Sequence, residues 1–199
     1  RTYKTREWYA TIRLFVPGIV LFISIVLFFG SKLLTYGGDC IAGYDVQDYH
    51  FWNIYFFREQ WLSGSFPLWN PYSYCGHPFL ANPANFVLYP LIVIYLIMPL
   101  APAFNLDILL HFFIAGIGVL LLVRSLAGST TAGFVSSIIY IFCGYMIESV
   151  CAGHLTKIHS AAILPWIFYF TENAFRSSRM AWYLVLSGTM LGIQILTGN

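Results

Sequence analysis

Six apolar runs make up more than half of this chain: Leu14 to Tyr36, Phe86 to Leu100, Phe104 to Val123, Thr130 to Val150, Ile158 to Ala174 and Met180 to Leu196. At about 1.5 Å per helical residue, the first reaches roughly 34 Å, enough to cross the hydrocarbon core of a bilayer. Only 9% of residues are charged, 59% are hydrophobic and the mean hydropathy is +0.72. An ordinary soluble domain is about one-quarter charged. The expected fold class is therefore all-α and integral to a membrane. An aromatic content of 19% fits, because Trp and Tyr favour the water–lipid boundary. A net charge of +2 leaves no footprint for nucleic acid.

Leu14 to Ser31 is longer than a signal-peptide core and no small-residue cleavage pattern follows it, so it reads as a retained helix. Arg1, Lys4, Arg6 and Arg13 precede it, and the excess of basic residues on the cytoplasmic side puts the N-terminus inside. Residues 37–85 then form a large outer loop. Phe86 to Leu100 decides the remaining topology. It is short and carries Pro90 and Pro99, which favours a re-entrant or interfacial segment over a span. Arg124, Arg176 and Arg179 then all fall on the cytoplasmic side, and five spans result: 14–36, 104–123, 130–150, 158–174 and 180–196. Residues 150–160 share the outer face with the large loop, and Gly198 emerges there too. Beginning at Arg1 and stopping directly after an apolar run, the sequence reads as the N-terminal part of one longer transmembrane domain.

Within the outer loop, Asp48 to Leu62 mixes Asp48, Arg58 and Glu59 with seven aromatic residues and reads as an interfacial helix. Gly64, Pro67, Pro71, Gly76, Pro78 and Pro83 exclude continuous helix beyond it and predict ordered turns. The four cysteines have no metal-like spacing and decide nothing. Gly116, Gly118, Gly133, Gly144, Gly188 and Gly192 are read as close-packing positions between spans.

The ionisable residues concentrate near span ends. Asp45 and Asp48 are three apart and share a face of any helical turn; a carboxylate at the edge of a low-dielectric slab can act as a general base. The same spacing suits Asp48 as a helix cap and Asp45 as a solvated acid, and Asp39 is read as solvated. His154, Lys157 and His159 supply two imidazoles and an ammonium suited to a phosphate at headgroup level, or else a snorkelling Lys among interfacial histidines. His77 with the aspartates offers a donor set for a divalent metal, without a ligand-spacing motif. Glu148, Asp107 and His111 lie near outer span ends, and Asp107 with His111, four apart, also fits a structural hydrogen-bonded pair.

The order of these features, with Asp45-Val46-Gln47, Gly64-Ser65-Phe66-Pro67-Leu68-Trp69-Asn70-Pro71-Tyr72, Gly76-His77-Pro78, Tyr89-Pro90, Gly153-His154 and Leu164-Pro165-Trp166, resembles the N-terminal part of the bacterial YfhO-like membrane proteins, themselves similar to the GT-C glycosyltransferase superfamily. The resemblance implies a multi-pass plasma-membrane enzyme that moves a sugar from a polyprenyl-phosphate carrier to a cell-envelope glycan, lipid or protein acceptor on the outer face. It assigns the base to Asp45, with Asp48 second, and leaves His154, Lys157, His159, Gln47 and His77 as substrate contacts. Rival readings are a transporter or flippase for a lipid-linked or anionic substrate, and a noncatalytic membrane assembly protein.

Overall fold

A computed structural model describes residues 2–33 and 40–198, with side chains for 15–30 and 40–198. Among the described residues the regular structure is helical apart from one two-stranded hairpin. Helix α1 covers Thr2–Leu33, beginning well before the expected span; residues 34–36 of that span lie outside the described residues. A π-helical turn, Val46–His50, runs directly into α2, Phe51–Leu62. Then come β1, Trp69–Asn70, and β2, His77–Pro78, paired antiparallel with Trp69 opposite Pro78 and Asn70 opposite His77.

Residues 86–100 make no continuous helix. Phe86 turns in the left-handed region, Pro90–Val93 form a 3-10 turn, and α3 is only Ile94–Ile97 before Met98 extends the backbone. Eight residues in these turns reach roughly 13 Å, less than half a bilayer core. The prolines explain the break, since Pro90 opens the 3-10 turn and Pro99 forms the N-cap of the next helix.

That helix, α4, spans Leu100–Ala127 and tolerates Pro102 because the ring lies in its first turn, where the missing N–H is not needed. It stops at Gly128, whose left-handed φ of 68° lets its N–H reach the Arg124 carbonyl. Ser129 then caps α5, Thr130–Ile141, by accepting from the Ala132 N–H at 3.2 Å. The expected span 130–150 is interrupted: Cys143 is extended, and a separate α6 covers Gly144–Ala152. Helix α7 is Leu155–Arg176 and α8 is Met180–Leu196. Among the described residues, two helical stretches are long and apolar enough to cross a membrane, Leu100–Ala127 and Thr130–Ala152; Phe15–Gly30 and Met180–Leu196 are shorter apolar helices.

Helix α4 is the centre of the bundle, with α5 and α7 packed along it, α8 on α7, and α1 against α4 and α5. Small residues let the backbones approach. A Cβ on Gly133 would lie 2.7 Å from the Leu120 carbonyl oxygen, one on Gly118 2.8 Å from Trp166, and one on Gly116 would collide with Leu21. Gly144, Gly188 and Gly192, expected to behave alike, have nothing within 4 Å of such an atom, so they are not close-packing positions among the described residues. Hydroxyl and indole groups cross-link the helices: the buried Ser137 Oγ donates to the Gly116 carbonyl at 2.7 Å, and the half-buried Tyr140 and Trp166 donate to Ala161 at 2.9 Å and Ile114 at 3.0 Å.

The two ends of the bundle differ chemically. At one end Arg176 donates to the Ser125 carbonyl at 2.6 Å, close to Arg124, and its charge suits the C-termini of α4 and α7. The segments between α1 and α4 gather at the other end. There the Asn105 side chain accepts from the Ile41 N–H at 2.8 Å, and a Cβ on Gly198 would meet the Pro83 carbonyl.

Candidate functional site

Backbone contact between two remote segments builds the site. The Gly43 N–H donates to the Val150 carbonyl at 3.0 Å, and a side chain on Gly43 would run into the Cys151 carbonyl. Gly153 ends α6 with φ +88°, and the His154 N–H closes onto the Ser149 carbonyl at 2.8 Å behind it. A Cβ on Gly153 would lie 2.7 Å from Val46 N, 2.9 Å from the Gly43 oxygen and 3.0 Å from Asp45 N. Two glycines thus bring the residue before the π turn against the first residues of α7.

The side chains that follow form a row. Asp45 Oδ2 is 3.1 Å from His154 Nε2, and His154 Nδ1 is 2.8 Å from Lys157 Nζ. An ammonium can only donate, so Nδ1 accepts and the imidazole N–H sits on Nε2, directed at the carboxylate. His154 is then neutral and joins an anion to a cation. The row is accessible, with the Asp45 side chain 52% and that of His154 30% exposed. An accessible carboxylate held by one imidazole N–H can take a proton, and Lys157 beside it can meet an anion.

Asp48 is exposed and lines a cleft of 860 Å³ between α2 and the hairpin loop. Trp52, Tyr55, Tyr72 and Tyr74 line this cleft, with Glu59 as a second acid. Gln47 is exposed in the same turn. Asp48 makes no capping bond, as the helix runs through it. The turn is anchored by Tyr49, which accepts from Asn82 Nδ2 at 2.7 Å and donates to Asn85 Oδ1 at 3.1 Å; burial pushes its phenol pKa up, and the Asn82 bond partly opposes that rise. His77 sits on β2, its Nδ1 3.5 Å from the Ser73 carbonyl and its ring edge-on to Tyr74. It joins none of the aspartates in a metal-capable group among the described residues, so the expected metal set is not formed there. Asp39 lies outside the described residues.

His159 is not in the surface row. It is fully buried, with Nε2 2.6 Å from Asp107 Oδ2. The reason is helical period: two residues past Lys157 is a turn of about 200°, to the opposite face of α7. Asp107 and His111 form the expected i,i+4 pair, Nδ1 to Oδ1 3.2 Å, and His159 joins them from α7. Tyr89 completes the group, its hydroxyl 2.6 Å from His111 Nε2. The opposite-face position of His159 was readable from its spacing; the approach of α7 to α4 was not.

Between surface row and buried group lies His50, at the end of the π turn and 5% exposed. Phe86 packs against it and, edge-on at 5.2 Å, against His159. Burial lowers the His50 pKa to about 4, reinforced by the nearby imidazole of His159 and opposed by Asp45 and Asp107. The unfolded chain binds this proton at about 6.5, so between pH 6.5 and 4 it holds more protons than the fold, and stability must fall as pH drops. The expected loss from pH 7 to pH 4 is roughly 3 kcal/mol. Thermal unfolding in detergent across that range measures it; a His50→Gln variant that loses just as much stability would exclude His50 as the cause.

No protein-family model matches the chain, and no significant match is found among curated proteins or solved structures.

Proposed function

We propose that this chain carries the outer-face site of a GT-C-like glycosyltransferase of the bacterial plasma membrane, multi-pass with a cytoplasmic N-terminus, which moves a sugar from a polyprenyl-phosphate carrier to a cell-envelope acceptor. The observation that carries the reading is the row Asp45–His154–Lys157, a carboxylate and a cation from distant segments within reach of one ligand. Asp45 accepts the proton of the acceptor hydroxyl as it attacks the anomeric carbon, and its anionic field stabilises the oxocarbenium-like transition state. The displacement inverts the anomeric centre. Lys157, oriented by His154, meets the departing phosphate, with Gln47 in supporting contact; both ring nitrogens of His154 are already engaged, by Asp45 and Lys157.

Two cavities support this assignment. An apolar cavity of 320 Å³, lined by Tyr89, Pro90 and Leu91 with Ile163, Trp166 and Ile193, has the lining a prenyl chain needs. The aromatic cleft at Asp48 offers rings on which the apolar faces of a sugar can stack. Burial of His159 removes it from the phosphate contacts. The exposed apolar side chains of α1 and α8, among them Phe15, Phe22, Leu27, Trp182 and Ile195, suit lipid contact and support the multi-pass reading.

The test uses the full chain in proteoliposomes with a radiolabelled polyprenyl-phosphate sugar and a membrane extract as acceptor source. Label moving from carrier to acceptor is expected. Carrier-bound label that only changes leaflet, with none on any acceptor, would replace the enzyme with a flippase.

A further inference from the structure

Asp107 and His111 on α4 and His159 on α7 each present one ligand atom, all within 4.8 Å of one another, and all three are buried. We propose that they bind one first-row divalent cation, Zn²⁺ by donor preference, as a clamp between α4, α7 and the Tyr89 turn. The proposal stands apart from sugar transfer, because the group lies beneath the Asp45 row and shares none of its residues.

The polar bookkeeping of the interior points to this group. Among the described residues, three buried side-chain polar atoms have no hydrogen-bond partner: Asp107 Oδ1, His159 Nδ1 and the Tyr95 hydroxyl. Two belong to residues of the cluster, and of these Asp107 Oδ1 is the one a cation would satisfy. His111 Nδ1 is 3.2 Å from Asp107 Oδ1, but its hydrogen bond goes to the Asp107 main-chain carbonyl at 2.7 Å, which leaves the carboxylate oxygen without a donor. A carboxylate oxygen buried without a donor is costly, and a cation bound against it would supply the missing partner.

The donor set fits the cation. Two imidazoles and one carboxylate are the protein ligands of many zinc sites, and imidazole prefers zinc over the hard cations that oxygen-only sites hold. The surroundings fit too. A metal-bound histidine ordinarily donates its other ring N–H to an oxygen; binding at His111 Nδ1 would move the ring proton from that nitrogen to Nε2, where the Tyr89 hydroxyl, 2.6 Å away, can accept it. The rings of His111 and His159 stack with centroids 4.1 Å apart, so both nitrogen edges reach the same carboxylate. Binding through these two atoms must widen the 2.6 Å contact between His159 Nε2 and Asp107 Oδ2 by about 0.7 Å, since two ligands of one tetrahedral zinc ion sit roughly 3.3 Å apart.

The probe is Co²⁺ alone, added to the purified full chain in detergent after chelator treatment. One equivalent is expected to bind with the visible absorption of a four- or five-coordinate site, and to raise the unfolding temperature. His159→Gln and Asp107→Asn should abolish the absorption, while Asp45→Asn should retain it. Tyr89→Phe, which keeps the ring and removes only the hydroxyl, should weaken binding about 10- to 100-fold and covers the case in which a ligand variant does not fold. Less than one equivalent on the wild-type chain, or binding unaltered in both His159→Gln and Tyr89→Phe, overturns the site. Sugar transfer that fails while Co²⁺ binds would count against the enzyme reading alone.

Discussion

Asp45→Asn is expected to lower sugar transfer by about 10²- to 10⁴-fold, the range a positioned general base contributes, while the protein still inserts and folds. The amide is nearly isosteric and can still accept from His154 Nε2, whose partner oxygen is 3.1 Å away in the native site. What it cannot do is take a proton or present an anion to a developing positive charge. Loss of the base should therefore appear in kcat with little change in carrier binding, because Lys157 keeps its bond to His154. Single-turnover assays with a radiolabelled carrier separate the two. Transfer at the wild-type rate would remove Asp45 from the chemistry and with it the main support for the enzyme reading.

A second large effect is expected at Gly153, where the damage is structural. Adding a single methyl there forces a non-glycine residue to φ +88° and sets a carbon 2.7 Å from Val46 N and 2.9 Å from the Gly43 oxygen. Left-handed strain costs about 1–2 kcal/mol, and overpacking about 1–3 kcal/mol. Gly153→Ala should therefore destabilise the protein by roughly 2–5 kcal/mol. In a chain of this length that lowers the unfolding temperature by on the order of 10 °C. The chain can relieve the clash only by parting the two segments, which separates Asp45 from His154. Transfer should then fall even below the unfolding temperature. A variant as stable and active as wild type would mean that the contact between residues 43–46 and 150–153 does not hold the site. Gly144→Ala is the natural control, since its added carbon meets open space.

Local chemistry explains which features were legible beforehand. The apolar runs announced helices, and the prolines at 90 and 99 announced the break between them, because ring geometry and hydrogen-bond loss act within a few residues. Helix α8 begins and ends where its apolar run does. The split between α5 and α6 was hidden, since Phe142 and Cys143 are apolar and continue the run in composition while the extended Cys143 interrupts it in shape. A helix forms over Phe51–Leu62, where an interfacial one was expected, and it buries Asn53, Ile54, Phe56 and Phe57, with Arg58 donating to the Met98 carbonyl at 2.9 Å. Its mixture of charge and aromatics reflects one buried face and one exposed face, the latter carrying Trp52, Tyr55 and Glu59.

The residues of the candidate site divide the same way. By itself the sequence determined the types and neighbourhoods: acids in one segment, His154 and Lys157 in another, Asp107 and His111 one helical turn apart. Those follow from period and polarity, which are properties of short stretches of chain. Only tertiary structure decided that His154 bridges Asp45 to Lys157, and that His159 turns inward to join Asp107. Such pairings depend on how closely distant backbones approach. In this fold Gly43 and Gly153 set that distance at the surface, and Gly116, Gly118 and Gly133 set it in the bundle, by omitting the one atom that would hold the segments apart.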